Sequence, residues 1–168
     1  MVRDIIQLEM MALVGGCVQD GPNYLVPKIM KGEFSKIITG EFTIDTEPVT
    51  DKKYDLIVEF EPDRPVNVEK RLTDKGIYIT IPSSITDIAL FKNFSAKFEV
   101  VLPYYYFDRN YHLHPLLFVS KKYHPTADLI RHRSDFIEDA WYYNTDIHLS
   151  AFVYPNHLWG VIKSAVKP

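Results

Sequence analysis

The chain has 168 residues, 46% of them hydrophobic, and a formal net charge of −3. That length and apolar share suit a single folded domain over 1–168, with roughly 70% of the unfolded surface buried. The acid-leaning balance leaves no nucleic-acid footprint, one cysteine (Cys17) rules out an internal disulfide, and no apolar run reaches the ~20 residues of a membrane span. The start, Met1-Val2-Arg3-Asp4, has no secretory apolar region, so a cytoplasmic protein is expected.

Residues 2–14 read as a helix, with Val2, Ile5, Ile6, Met10 and Leu13 at helical spacing and Gly15-Gly16 as its cap. Asn23 to Val26 reads equally as a short strand or the start of a helix. Lys36 to Phe42 reads as a strand, and 43–53, with Pro48, as a loop. Tyr54 to Phe60 is a buried-type strand broken by Pro62 and Pro65. A short helix follows over 66–73, then a β-rich run over 77–81, then a helix over 85–94 capped by Ser83 or Ser84. Strands at 98–102 and 115–121 flank a hairpin connection over 103–114. Helices are expected over 126–140 and near 156–165. This order describes an α/β sheet with helices on both faces and an antiparallel edge.

The chemistry-bearing patterns are few. There is no G-x-G-x-x-G and no G-x-x-x-x-G-K-[ST], and Gly15-Gly16 follows a helix rather than a strand. His112 and His114 alternate along an extended stretch, but with no nearby cysteine they read as structural rather than as zinc ligands. Cys17 lies in no nucleophile pattern and reads as a small buried hydrophobe. The acids are more informative. Glu59, Glu61 and Asp63 stand at and just past the end of a buried strand, where open α/β sheets bind ligands, and carboxylates there can hold an ammonium or take a proton. Glu41 closes the strand read before it, a place where an acid accepts from ribose hydroxyls.

The late segment Tyr142-Tyr143-Asn144-Thr145-Asp146-Ile147-His148-Leu149-Ser150-Ala151-Phe152-Val153-Tyr154-Pro155 resembles the Y-Y-N-x-x-[IV]-H-x-x-A-F-x-L-P segment of spermidine synthases, changed only at Tyr154. Tyr54-Asp55-Leu56-Ile57-Val58 resembles the central strand of that family. Lys75-Gly76-Ile77-Tyr78 resembles the turn into its next strand, and Glu9-Met10-Met11-Ala12 an early helix. The resemblance implies a Rossmann-like, methyltransferase-type sheet, reduced relative to the family: its amino-terminal β-domain and its G-G-G-D-G loop have no counterpart here. It also implies aminopropyl transfer from decarboxylated S-adenosylmethionine to putrescine, with that nucleoside as a co-substrate and no permanently bound cofactor. The family's proton-accepting aspartate falls on Phe60, its second aspartate on Asp63 and its ribose-binding acid on Glu41.

Two readings stay open. In one the chain is an aminopropyltransferase in which Asp63, Glu61 or Glu59 supplies the base and Glu41 holds the ribose. In the other it is a catalytically degenerate homologue that binds a polyamine or nucleoside, or a partner protein. A homo-oligomer is expected, with the aromatic run Tyr104-Tyr105-Tyr106-Phe107 as core or as its contact. An internally shortened chain is a third possibility, one in which a lost strand leaves its neighbours with unpaired backbone groups.

Overall fold

A computed structural model describes residues 4–37 and 41–168. Six strands form one sheet: β1 (Asn23–Leu25), β2 (Thr43–Asp45), β3 (Tyr54–Val58), β4 (Leu72–Thr80), β5 (Val100–Phe107) and β6 (Leu113–Ser120), in the order β2-β1-β3-β4-β6-β5. β2, β1, β3 and β4 run parallel; β6 lies antiparallel to β4, and β5 antiparallel to β6. The ladder is continuous from β2 to β5, so no inner strand is left unpaired. The helices are α1 (Ile5–Gly16), α2 (Pro65–Arg71), α3 (Ile88–Ser95), α4 (Arg131–Ser134), α5 (Thr145–Ser150) and α6 (Asn156–Ile162), with a 3-10 helix over Lys28–Lys36.

Successive side chains of a strand point to opposite faces. On β4, Ile79 lies under α1, close to Gly15, while Tyr78 stacks on Phe94 of α3 at 5.7 Å. Helices therefore cover both faces of the sheet, as the element order predicts. α1 is buried almost all round, from Leu8 to Gly16, rather than along one stripe. Asp4 caps it, accepting from the Ile6 N–H at 2.9 Å. Gly15 and Gly16 are not a left-handed cap: both lie inside α1, and Cys17 ends it at φ −90°. Their role is close approach. A Cβ on Gly15 would stand 2.8 Å from Leu56 Cδ1, and one on Gly16 2.6 Å from Ile37 Cδ1.

Other expectations are corrected in the same way. Lys28–Lys36 is a 3-10 helix, so the strand read over Lys36 to Phe42 is absent where the chain is described; residues 38–40 of it lie outside the described residues. Strand β2 instead falls at Thr43–Asp45, inside the segment read as a loop. The apolar residues that suggested a strand are used for packing: Phe34 and Phe42 lie 5.2 and 4.7 Å from the Tyr24 ring, and Ile37 lies against Gly16. The helix read over 126–140 shrinks to Arg131–Ser134. Its flanks are held by separate tertiary bonds, such as Ile130 N to Cys17 O at 2.7 Å and Arg133 Nη1 to the carbonyls of Gly16 and Gln19. Helix α3 starts at Ile88, capped by Asp87 rather than by Ser83 or Ser84, which lie outside it.

The hairpin connection is also shorter than read. Strands β5 and β6 run on through the aromatic residues and leave only 108–112 as the turn. β5 is the outer strand, and Pro103 sits on it with the same parity as Val101, whose backbone groups face outward to Lys167. A residue without an N–H loses nothing there.

Asp55 ties the amino ends of the inner strands together: its carboxylate accepts from Asn23 N and from the Thr73 hydroxyl. The motif around Tyr142–Pro155 is structural too. Asn144 caps α5 through Ile147 N at 2.8 Å, and buried His148 joins Tyr143 and the Pro125 carbonyl.

Candidate functional site

The four parallel strands end on one edge of the sheet, at Leu25, Asp45, Val58 and Thr80. A hollow of about 320 Å³ opens there. Leu25, Val58 and Phe60 form its apolar part, Val26-Pro27 one wall, and Glu59, Glu61 and Arg71 the charged wall. Position follows from local chemistry. β3 is a five-residue strand, apolar but for Asp55, that stops before Glu59, and Pro65 starts α2 with its fixed φ, so the acids fall in the short turn between them.

The charged wall is a connected network. Glu59 Oε1 accepts from the Tyr78 hydroxyl at 2.8 Å and from Arg71 Nη2 at 3.0 Å. The same Arg71 nitrogen reaches Asp63 Oδ2 at 3.1 Å. The Tyr78 oxygen in turn accepts from Asp63 N at 3.1 Å. Asp63 Oδ1 accepts from Arg64 N and Asn67 Nδ2. Burial, together with the negative charge of Glu59, holds the Tyr78 phenol well above its ordinary range, so it remains a proton-bearing donor. Glu61 is exposed and makes no hydrogen bond or ion pair among the described residues.

Glu59 and Glu61 thus line one hollow, and Asp63 joins Glu59 through Arg71. Glu41 is exposed and precedes β2, at the opposite end of that strand from Thr46, which borders the hollow. The acid that closes β2 is Asp45. It stands 20 residues beyond Leu25, the spacing at which a Rossmann sheet places its ribose-binding carboxylate. Reading 43–53 as a loop hid it; the alternation of Thr43, Ile44 and Asp45 was the available signal, over only three residues. Asp45 Oδ2 accepts from Lys52 Nζ and the Tyr54 hydroxyl, both at 2.7 Å. These bonds, Lys52 first, hold its carboxyl below the usual carboxylate range.

The turn after β1 also differs from a nucleotide cradle. Such a loop offers free backbone N–H groups to its ligand. Here Val26 N donates to Asp45 O at 3.0 Å, and Pro27 has no N–H.

A larger hollow, about 590 Å³, lies beside β5 between α5 and α6, walled by Phe152, Tyr154 and Trp159 with His124 at its side. It shares no lining residue with the hollow at the carboxyl edge, and no acidic side chain lines it. His114 pairs with Asp108 at 2.7 Å, and among the described residues no group of three His, Cys, Asp or Glu is arranged to hold a metal. No described helix is long and apolar enough to cross a membrane.

No family model matches the chain. It is 31% identical over 124 residues to the polyamine aminopropyltransferase of Helicobacter acinonychis (strain Sheeba), an alignment covering 69% of this chain and 47% of that protein. The polyamine aminopropyltransferase of Helicobacter pylori (strain ATCC 700392 / 26695) matches with the same identity and coverage. The chain spans about half the length of the curated relatives it matches. Among solved structures, the spermidine synthase of Thermotoga maritima superposes with a TM-score of 0.69 at 16% identity, over 96% of this chain and 75% of that one. A spermidine synthase in complex with the transition state analogue AdoDATO superposes at 0.70 and 15%, over 96% and 76%. By fold the chain shares the methyltransferase-type Rossmann sheet of the spermidine synthases, and by sequence it is similar to the polyamine aminopropyltransferases over 124 residues.

Proposed function

We propose that the protein acts in polyamine biosynthesis as an aminopropyltransferase, moving an aminopropyl group from decarboxylated S-adenosylmethionine to putrescine. The observation that carries this reading is the hollow at the carboxyl edge of the parallel strands, with Glu59 and Glu61 on its wall. The sequence kinship supplies the reaction class.

In this reading the nitrogen lone pair of a neutral amine attacks the carbon beside the sulfonium. The carbon–sulfur bond breaks, and its electron pair leaves with sulfur as neutral methylthioadenosine. The new ammonium then loses one proton to a carboxylate. Glu61, which has no competing partner among the described residues, is the base nearest to free, and Glu59 holds the second ammonium through its unengaged oxygen. Asp63 acts through Arg71. Orientation of amine and sulfonium carries much of such a barrier. Asp45 is the ribose acid of this scheme in place of Glu41, with Oδ1 for the ribose hydroxyls while Oδ2 serves Lys52 and Tyr54.

A second reading is amine or nucleoside binding without turnover. Phe60 in the wall and the engaged Val26 amide favour it. One pair of measurements separates the two. The protein is incubated with decarboxylated S-adenosylmethionine and putrescine, and methylthioadenosine is followed by chromatography; putrescine and methylthioadenosine are titrated separately by calorimetry. Turnover is expected, reduced about tenfold or more in kcat by Glu61→Gln. Binding heat with no product sinks the transfer reading and leaves the second; no heat and no product sinks both.

A further inference from the structure

We propose that Arg71 is a built-in occupant of the amine subsite, and that its charge sets which amines the hollow admits. This rests on reading the hollow as an amine site. The guanidinium already stands where a ligand ammonium is wanted: one nitrogen, Nη2, serves Glu59 at 3.0 Å and Asp63 at 3.1 Å from the wall of the hollow. The remaining capacity of the acids is uneven. Asp63 Oδ1 is taken by Arg64 N and Asn67, and Glu59 Oε1 already accepts from Tyr78. Glu61 on the same wall has no partner among the described residues.

Charge counting then gives the specificity. Glu59 and Glu61 on the wall, Asp63 bonded to the same Arg71 though not itself lining the hollow, and one guanidinium leave two net negative charges in the cluster, which match a diamine. Without the guanidinium there are three, which match a triamine. Arg71 therefore favours the doubly charged acceptor over a triply charged product. The side chains of Arg71, Glu59 and Asp63 are 26, 31 and 35% exposed, so solvent screens the trio and its effect is modest.

The test is calorimetric titration of putrescine and spermidine into the wild-type chain, Arg71→Gln and Arg71→Lys, at low and at high salt, with circular dichroism to check that each variant is folded. Arg71→Gln is expected to bind putrescine about threefold tighter at low salt and spermidine tighter still, both gains fading at high salt. Arg71→Lys keeps the charge and should behave as wild type. If Arg71→Gln binds putrescine yet gains nothing for either amine, or Arg71→Lys gains as much, the role of Arg71 is overturned while the amine site stands. If no folded variant binds either amine, the amine site falls as well.

Discussion

Glu9 is fully buried in α1, and its carboxylate is met from two sides. It accepts from the backbone N–H groups of Trp141, Tyr142 and Tyr143 at 2.6, 3.0 and 3.3 Å, and Lys36 Nζ lies 3.5 Å away. The start of the long motif near the carboxyl end is therefore pinned to the central helix by one acid. Glu9→Ala leaves those donors without an acceptor and should cost about 2–4 kcal/mol in urea unfolding. Glu9→Gln keeps one acceptor oxygen and should cost less. His148 gives a pH signature. The Pro125 carbonyl can only accept, so Nε2 carries the proton and Nδ1 accepts from the Tyr143 hydroxyl at 2.6 Å. Burial brings this imidazole down to about 4 from an ordinary 6.5, only partly opposed by the bond to Pro125. Between those values the unfolded chain binds the proton and the folded one does not. Stability is thus complete above 6.5 and falls by about 3 kcal/mol as the pH drops toward 4. Denaturation midpoints at several pH values should show that slope, and His148→Gln should flatten it.

At the scale of the element, α1 and the sheet are held together by what their contact leaves out. Gly15 packs close to the ends of the Leu56 and Ile79 side chains, so a Cβ there fits only if one of them shifts. Gly15→Val has to push that contact apart and should cost about 1–3 kcal/mol, read as a lowered midpoint in a thermal melt. This glycine pair also marks the boundary of what the residues alone disclose. Two glycines after an apolar run look like a cap from sequence, because the neighbours that require them, Leu56 and Ile37, come from distant parts of the chain. β3, most of β6 and the start of β5 were legible, since continuous apolar or β-branched runs are local, while the aromatic half of β5 was read as part of the turn. The three-residue strand β2 was not, and with it Asp45 was missed, because its pairing with β1 rather than its composition makes it a strand. The position of Glu59, Glu61 and Asp63 past the end of a buried strand was legible, because such an end can be read locally. Arg71, at the far end of the next helix, becomes part of the same wall only through the fold.

For the whole molecule, the sheet is graded from a short parallel margin at β2 to a long antiparallel margin at β5. An outer strand invites pairing with another chain unless something covers it. Here three separate groups do: Lys167 exchanges two backbone bonds with Val101, the Tyr154 hydroxyl donates to Pro103 O, and the Tyr142 hydroxyl accepts from Phe107 N. Two of those three belong to the segment that carries the family likeness, so the motif that identifies the chain also seals its margin.

The bridge from Val101 to Lys167 has a practical corollary for handling the protein. An affinity tag fused straight after Pro168 would hang from a residue adjoining the last stitch of the sheet, and tension or bulk there would unpick the hem along β5. A purification handle joined there therefore belongs behind a long, pliant spacer.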